Sequence, residues 1–432
     1  MRTLRKHYKW WVVAMLWSIA FFNYADRQSI FSLFPLLSRE FNLNDLQLGL
    51  LGSSFAAVYG LTSPLAGFVV DRVRRKASIL GGLRLWSVIC MATAVSRSFA
   101  QLLFFRAAEG LGETIYFPAS MSMIGDYHGR QTRSRAMGTH QTSVYIGTIA
   151  GGFFAGLIGQ RFGWRSSFLV FGGAGLILSF CLGRWLIEPA RGAAEFAHLE
   201  PGSAQHAHSR RVALGDFLRL VASRPSLSLC VVAFLFQNFT TMVLFTWMPT
   251  LLYRKFHLSL AMAGLDATIY AQTASMIGSP LGGWLADTLR RRMAGGRMLV
   301  QAIAAGLEVP FVVIGALTAS WPLAMATLLF WGLFKGFYEA NIFASVFDVV
   351  PAAARGLTTG LMNMVGWLAG AGTAPLAIGL LSRRIGLSRS VSASAAGCAA
   401  ACIFLLVAAL RFARNDEQAM ESALRSDASN TI

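Results

Sequence analysis

The segment Phe104 to Pro118, FFRAAEGLGETIYFP, carries Arg106, Glu109 and Glu113 inside a long apolar run. On a helix, Arg106 and Glu113 stand two turns apart on one face, roughly 10 Å along the axis. On a soluble helix this would be a solvated face. Within a bilayer each charge costs about 2.5–3.5 kcal/mol or more, so such residues mark a functional site. A buried carboxylate is disfavoured in its charged form. Glu113 is therefore a candidate proton site, with Asp26 and Arg106 as its partners. The alternative is a fixed ion network with a structural role only.

The elements that position these charges are membrane helices. The chain has 432 residues, 55% hydrophobic and only 13% charged. A soluble domain carries about twice that charged fraction. Twelve apolar stretches are about long enough to span a bilayer. The first six cover roughly 10–35, 48–70, 77–97, 99–124, 136–159 and 166–187. The second six cover roughly 226–253, 262–286, 297–318, 321–348, 356–381 and 390–413. Backbone groups in lipid must bond internally, and continuous apolar runs exclude a barrel. The expected fold class is an all-α membrane protein of two six-helix bundles. The bundles are expected at 1–188 and 226–414, joined by a cytoplasmic linker at 189–225 and followed by a disordered tail at 415–432.

The net charge of +18 does not point to nucleic acid. Lys and Arg cluster between spans, before span 1 and after spans 2, 4 and 8. That is the positive-inside pattern, and it places both termini in the cytoplasm with anionic lipid as a neighbour. Arg383, Arg384 and Arg389 after span 11 run against it. No cleavable signal peptide is expected, because the first span is too long and lacks a small-residue cleavage site. The five cysteines lie in apolar runs without metal spacing. His198, His206 and His208 read as linker residues, not as a metal tract.

The chain repeats itself. Gly67-Phe-Val-Val-Asp71-Arg72-Val-Arg74-Arg75-Lys76 closes span 2, and Gly283-Trp-Leu-Ala-Asp287-Thr-Leu-Arg290-Arg291-Arg292 closes span 8. Asp126, Arg133 and Gly138 match Asp348, Arg355 and Gly360 at a similar offset. Duplicated six-helix halves are common in secondary transporters. Charges at these helix ends can latch neighbours in one state and release them in another. Asp71, Arg72, Arg75, Asp287 and Arg291 are the gating candidates; a helix-end cluster that only sets topology is the plainer reading. Glu113 and Lys335 each lie 13 residues before their matched aspartates, so an acid and a base hold equivalent places on spans 4 and 10. Lys335 has Glu339 one turn on as a resting partner. A substrate carboxylate captured by Lys335 would favour protonation of Glu113, which links anion and proton as symport requires.

The G-x-x-x-D-R-x-x-R-R/K motif and its degenerate copy resemble the major facilitator superfamily across spans 1–12. Asn23-Tyr24-Ala25-Asp26-Arg27, Arg106-x6-Glu113, Phe117-Pro118 and Phe162-Gly163-Trp164-Arg165 resemble the anion:cation symporter group. That resemblance implies proton-coupled transport of hexuronates, aldonates or related carboxylates, with Arg27 gripping the substrate carboxylate. The first two features also resemble spinster-like lysolipid and sphingolipid transporters, which keeps a lysolipid exporter open as a second reading. A non-transporting receptor on a carrier fold is a third. Further candidate substrate contacts are His140, Gln141, Tyr270 and Asn341. Glu308, before Pro310, is an intramembrane acid with no assigned task. No nucleotide fingerprint, metal box or catalytic triad appears. The expectations are a non-enzyme in the cell (inner) membrane, with no cofactor beyond the proton gradient, and a monomer whose partners are a small organic anion, protons and lipid.

Overall fold

The computed structural model describes residues 2–129, 132–189, 214–351 and 354–429. Most of the expected linker and the end of the tail lie outside the described residues, as does the side chain of Asp71. The described chain is helical, with no strand in it. Seven stretches of it are long and apolar enough to cross a membrane. Contacts divide the chain into two compact units. The first holds Met1–His208, Phe245–Ile269 and Pro375–Leu380; the second holds Ser209–Leu244, Tyr270–Ala374 and Leu381–Ile432.

The first unit contains α1 (Arg2–Phe41), α2 (Asp45–Arg72), α3 (Arg75–Thr93), α4 (Phe99–Thr114), α5 (Tyr116–Tyr127), α6 (Arg133–Phe162) and α7 (Trp164–Trp185). Small residues bring these helices close, as membrane helices require. A Cβ built on Gly151 of α6 would lie 2.1 Å from the Ala25 carbonyl oxygen of α1, and one on Gly147 would lie 2.5 Å from that of Phe21. Only glycine fits at either crossing. The same unit buries Trp86, Tyr116 and Met123 in a core with Leu16 and Ile19.

The expected single span at 99–124 is two helices, α4 and α5, that meet at Ile115. The cause is Pro118, whose missing N–H leaves the Thr114 carbonyl without its helical donor. Nearby, the Thr114 hydroxyl donates to the Gly110 carbonyl at 2.5 Å. Glu113 thus sits beside a break, on the last turn of α4.

In the second unit lie α8 (Leu214–Ser223), the start of α9 (Pro225–Phe256), most of α10 (Leu260–Arg290), α11 (Gly296–Leu317), α12 (Trp321–Glu339) and α13 (Ile342–Phe347). They are followed by α14 (Arg355–Val365), a π-helical turn at Gly366–Ala371, α15 (Ala374–Ile385), α16 (Leu387–Ala393), α17 (Ala395–Val407), a second π turn at Ala408–Phe412, and α18 (Ala413–Ser429). Part of α15 belongs to the first unit. The core here gathers Phe234, Met298, Tyr338, Val346 and Leu405. The expected span at 321–348 is also broken, at Asn341. The Asn341 carboxamide donates to the Phe337 carbonyl at 2.9 Å and to Gly282 at 3.2 Å. A side chain inserted into the ladder bends the helix.

Candidate functional site

Five ionisable side chains of the first unit meet in its interior. Asp26, Arg27, Arg106, Glu109 and Glu113 are all buried. Arg27 on α1 donates Nε and Nη2 to the same Oε2 of Glu113, at 3.0 and 2.6 Å. The rings of Tyr24, Phe55 and Tyr59 surround its guanidinium at 4.7, 4.9 and 5.0 Å. Such aromatic faces hold a cation in place without neutralising it. The second oxygen of Glu113, Oε1, is buried and has no hydrogen-bond partner among the described residues.

Arg106 pairs with Glu109 one turn on, and its Nη2 donates to the Arg27 carbonyl at 2.9 Å. The sequence offered Asp26 and Arg106 as partners of Glu113, whose carboxylate is held by Arg27. Asp26 accepts from the Cys90 thiol at 3.0 Å, and a Glu109 carboxylate oxygen lies within 4.8 Å of it. The group holds three acids and two arginines. A buried group of this kind is electrically stable in lipid only near neutrality. Cys90 and the part played by Glu109 were not visible in the sequence; the contacts join positions 64 and more residues apart.

The remaining candidates of this unit take different places. His140 is fully buried, with Nε2 2.9 Å from the Tyr116 hydroxyl. Tyr116 spends its own hydrogen on the Leu16 carbonyl at 2.5 Å, so His140 is the donor of that contact. Gln141 is exposed on α6. Arg75 forms an ion pair with Asp126, and Arg72 is exposed. Trp164 and Arg165 both donate to Glu40, at 2.5 Å each.

In the second unit, Lys335 reaches Glu339 at 2.8 Å, as the i,i+4 spacing suggested. The lysine side chain is 3% exposed and the glutamate 34%. Tyr270 is half-buried on α10, and Asn341 is committed to the two carbonyls at the break. Arg297 bridges Asp287 and Asp348, at 2.6 and 2.7 Å, and Arg290 adds a second contact to Asp348 at 2.7 Å. Arg291 is exposed. Asp348 lies 222 residues after Asp126, and Arg297 lies 222 residues after Arg75. The same ion pair is therefore built twice, and the repeat extends to the pairing.

Glu308 has a surrounding that sequence reading did not reach. Its Oε2 accepts from Gln237 Nε2 at 2.5 Å, Trp331 Nε1 at 3.1 Å and the Cys398 thiol at 3.3 Å. The donors come from α9, α12 and α17, so no local spacing announces them.

The family model described as Major Facilitator Superfamily matches residues 16–371 and 251–428. The chain is 29% identical over 383 residues to "Probable anion transporter 4, chloroplastic" of Oryza sativa subsp. japonica, covering 84% of this chain. It spans only 62% of that relative's length. It is 24% identical to "Probable galactarate/D-glucarate transporter GudP" of Escherichia coli (strain K12), covering 87% of this chain and 88% of that one. Among solved structures, a bacterial homolog of the human lysosomal transporter spinster superposes with a TM-score of 0.81 at 21% identity, over 95% of this chain and 98% of that one. That likeness speaks for the fold alone.

Proposed function

The chain belongs to the major facilitator superfamily, and on that premise we propose that it is a proton-coupled symporter of a small organic anion, a sugar acid or similar carboxylate. The observation that carries this reading is the fork of Arg27 on one oxygen of Glu113. A guanidinium grips a carboxylate through two parallel N–H donors. A substrate carboxylate needs those donors, and Glu113 releases them when it takes a proton. Anion and proton then bind together because each removes the obstacle to the other. Glu339 plays the same holding part for Lys335, which receives substrate charge. The similarity to anion and galactarate/D-glucarate transporters supports this cargo.

In this reading the chain spans the cell membrane twelve times, in bundles at 1–188 and 226–414, with both termini in the cytoplasm. It works as a monomer by alternating access. The paired charges Arg75–Asp126 and Arg297–Asp348, with Asp71, Asp287 and the neighbouring arginines, act as gates. A lysolipid exporter is the second reading, favoured by the three rings around Arg27, which also suit an apolar cargo.

Proteoliposomes separate the two. Labelled galactarate should accumulate under an inward proton gradient and leak out when a protonophore is added. Gradient-driven movement of lysophospholipid, with no uptake of galactarate, galactonate or glucuronate, would replace the first reading by the second.

A further inference from the structure

A cleft of about 710 Å³ opens between α3 and α7 of the first unit, away from the buried charges described above. Four of its lining residues are cations, Arg74, Lys76, Arg84 and Arg184. Arg74 and Lys76 stand at the start of α3, and Arg184 stands at the end of α7, so one end of the helix pair is strongly basic. Arg84 is the unusual member. It lies nine residues into α3 beyond Arg75, roughly 13 Å along the axis, and it is exposed on α3 within the span expected at 77–97.

Arg84 is held in that position. Its Nε donates to Ser179 of α7 at 3.2 Å, and its guanidinium lies 5.1 Å from the Phe180 ring. A fixed cation on an exposed face is expensive in lipid unless an anion meets it. Among the described residues lining the cleft the acid is Glu188, and it is engaged: its two oxygens accept from the backbone N–H groups of Arg75 and Lys76, at 2.9 and 2.7 Å. Glycine leaves the space open beside these charges. A Cβ on Gly81 would meet nothing within 4 Å, and one on Gly183 would come within 3.6 Å of Arg84 Nη2. Beyond the cations the walls are apolar. Leu80, Phe180 and Ile187 line it, Leu85 and Ile177 are exposed on the same two helices, and Trp185, a residue type enriched at the headgroup level, follows Arg184.

We propose that this cleft is a binding site for an anionic phospholipid, its phosphate seated among Arg84, Arg184, Lys76 and Arg74 and its acyl chains lying along the apolar face of α3 and α7. Basic pockets between helices at the cytoplasmic side take such headgroups. A soluble anion would use the charges and leave the apolar wall unused. The buried lipid would cover the charge of Arg84, which the protein itself leaves to its neighbours.

Native mass spectrometry of the detergent-purified full chain, titrated with phosphatidylglycerol or phosphatidylcholine, tests this. The parent should retain phosphatidylglycerol in preference to phosphatidylcholine. Replacing Arg84→Gln together with Arg184→Gln should weaken that retention about tenfold, whereas Arg84→Lys should keep it. Gly81→Leu changes no charge and fills the cleft, so it should also weaken retention. Thermal unfolding should rise with phosphatidylglycerol for the parent and stay unchanged with inorganic phosphate or glycerol phosphate. Equal phosphatidylglycerol retention by the parent, the double variant and Gly81→Leu would overturn the proposal. So would equal stabilisation by inorganic phosphate, which would make the cleft a site for soluble anions.

Discussion

Arg27 and Glu113, from α1 and α4, meet through two donors on a single carboxylate oxygen, while the other oxygen of Glu113 is buried with no hydrogen-bond partner among the described residues. On the symport reading, that oxygen is where Glu113 would take its proton. Glu113→Gln retains the shape and an acceptor but cannot exchange a proton. It should keep substrate binding and counterflow exchange, and its proton-driven accumulation ratio should fall to unity. Normal gradient-driven uptake by this variant would show that the proton is carried elsewhere. Arg27→Lys, which loses the planar fork, should weaken anion affinity about tenfold.

Lys335 is the second place where substrate charge is expected. Its ammonium is almost fully buried and faces Glu339 at 2.8 Å. Lys335→Gln should weaken equilibrium anion binding about tenfold, and Lys335→Arg should stay within a few-fold of the parent. Affinity is best followed by titration across pH. If both variants bind as tightly as the parent, with the same pH dependence, the Lys335–Glu339 pair is structural.

The repeated ion pairs make a prediction about rate. Asp126→Asn and Asp348→Asn each break one copy of the same arrangement. Each should slow turnover about tenfold and leave substrate affinity within a few-fold, because helix-end charges bias conformations and do not meet the cargo. Swapping the charges of the first copy, Arg75→Asp with Asp126→Arg, should restore part of the lost rate in a transport assay. A collapse of affinity with turnover intact would move these residues into the binding site.

Glu308 is predicted to serve stability first. Glu308→Leu strands the buried donors of Gln237 and Trp331, at about 1–3 kcal/mol for each. Glu308→Gln keeps an accepting oxygen in place. Thermal unfolding in detergent should therefore separate the two, with the leucine variant several degrees lower and the glutamine variant near the parent. A leucine variant as stable as the parent would remove Glu308 from the framework of this unit.

Much of this arrangement is legible in the sequence because bilayer physics constrains it. Charges at Asp26, Arg27, Arg106, Glu113 and Lys335 stand out where charge is costly, and the Lys335–Glu339 pair follows from helix periodicity. The repeat of Asp126 and Asp348 pointed to equivalent helix ends. What sequence does not convey is which side chain each charge meets. Arg27 follows Asp26 by one residue, and a 100° turn does not say that α4 stands on that side. The Asp26–Cys90–Glu109 contacts and the donors around Glu308 arise from helices whose neighbours are set by packing over the whole unit. The break at Pro118 could have been read locally. The break at Asn341 could not, because it depends on which carbonyls a carboxamide reaches.

The glycine crossings of α6 on α1 have a mechanical consequence. With the backbones touching at Phe21 and Ala25, no layer of side chains remains to act as a cushion. The two helices behave as one strut, and Arg27 is mounted on it half a turn beyond the second contact. Any tilt of α6 is delivered undamped to the grip of Arg27 on Glu113. A leverage of this kind makes α6 a handle on coupling. On the symport reading, Gly151→Ala should prise the strut apart and loosen the measured ratio of anion to proton, although the substitution is outside the charged cluster.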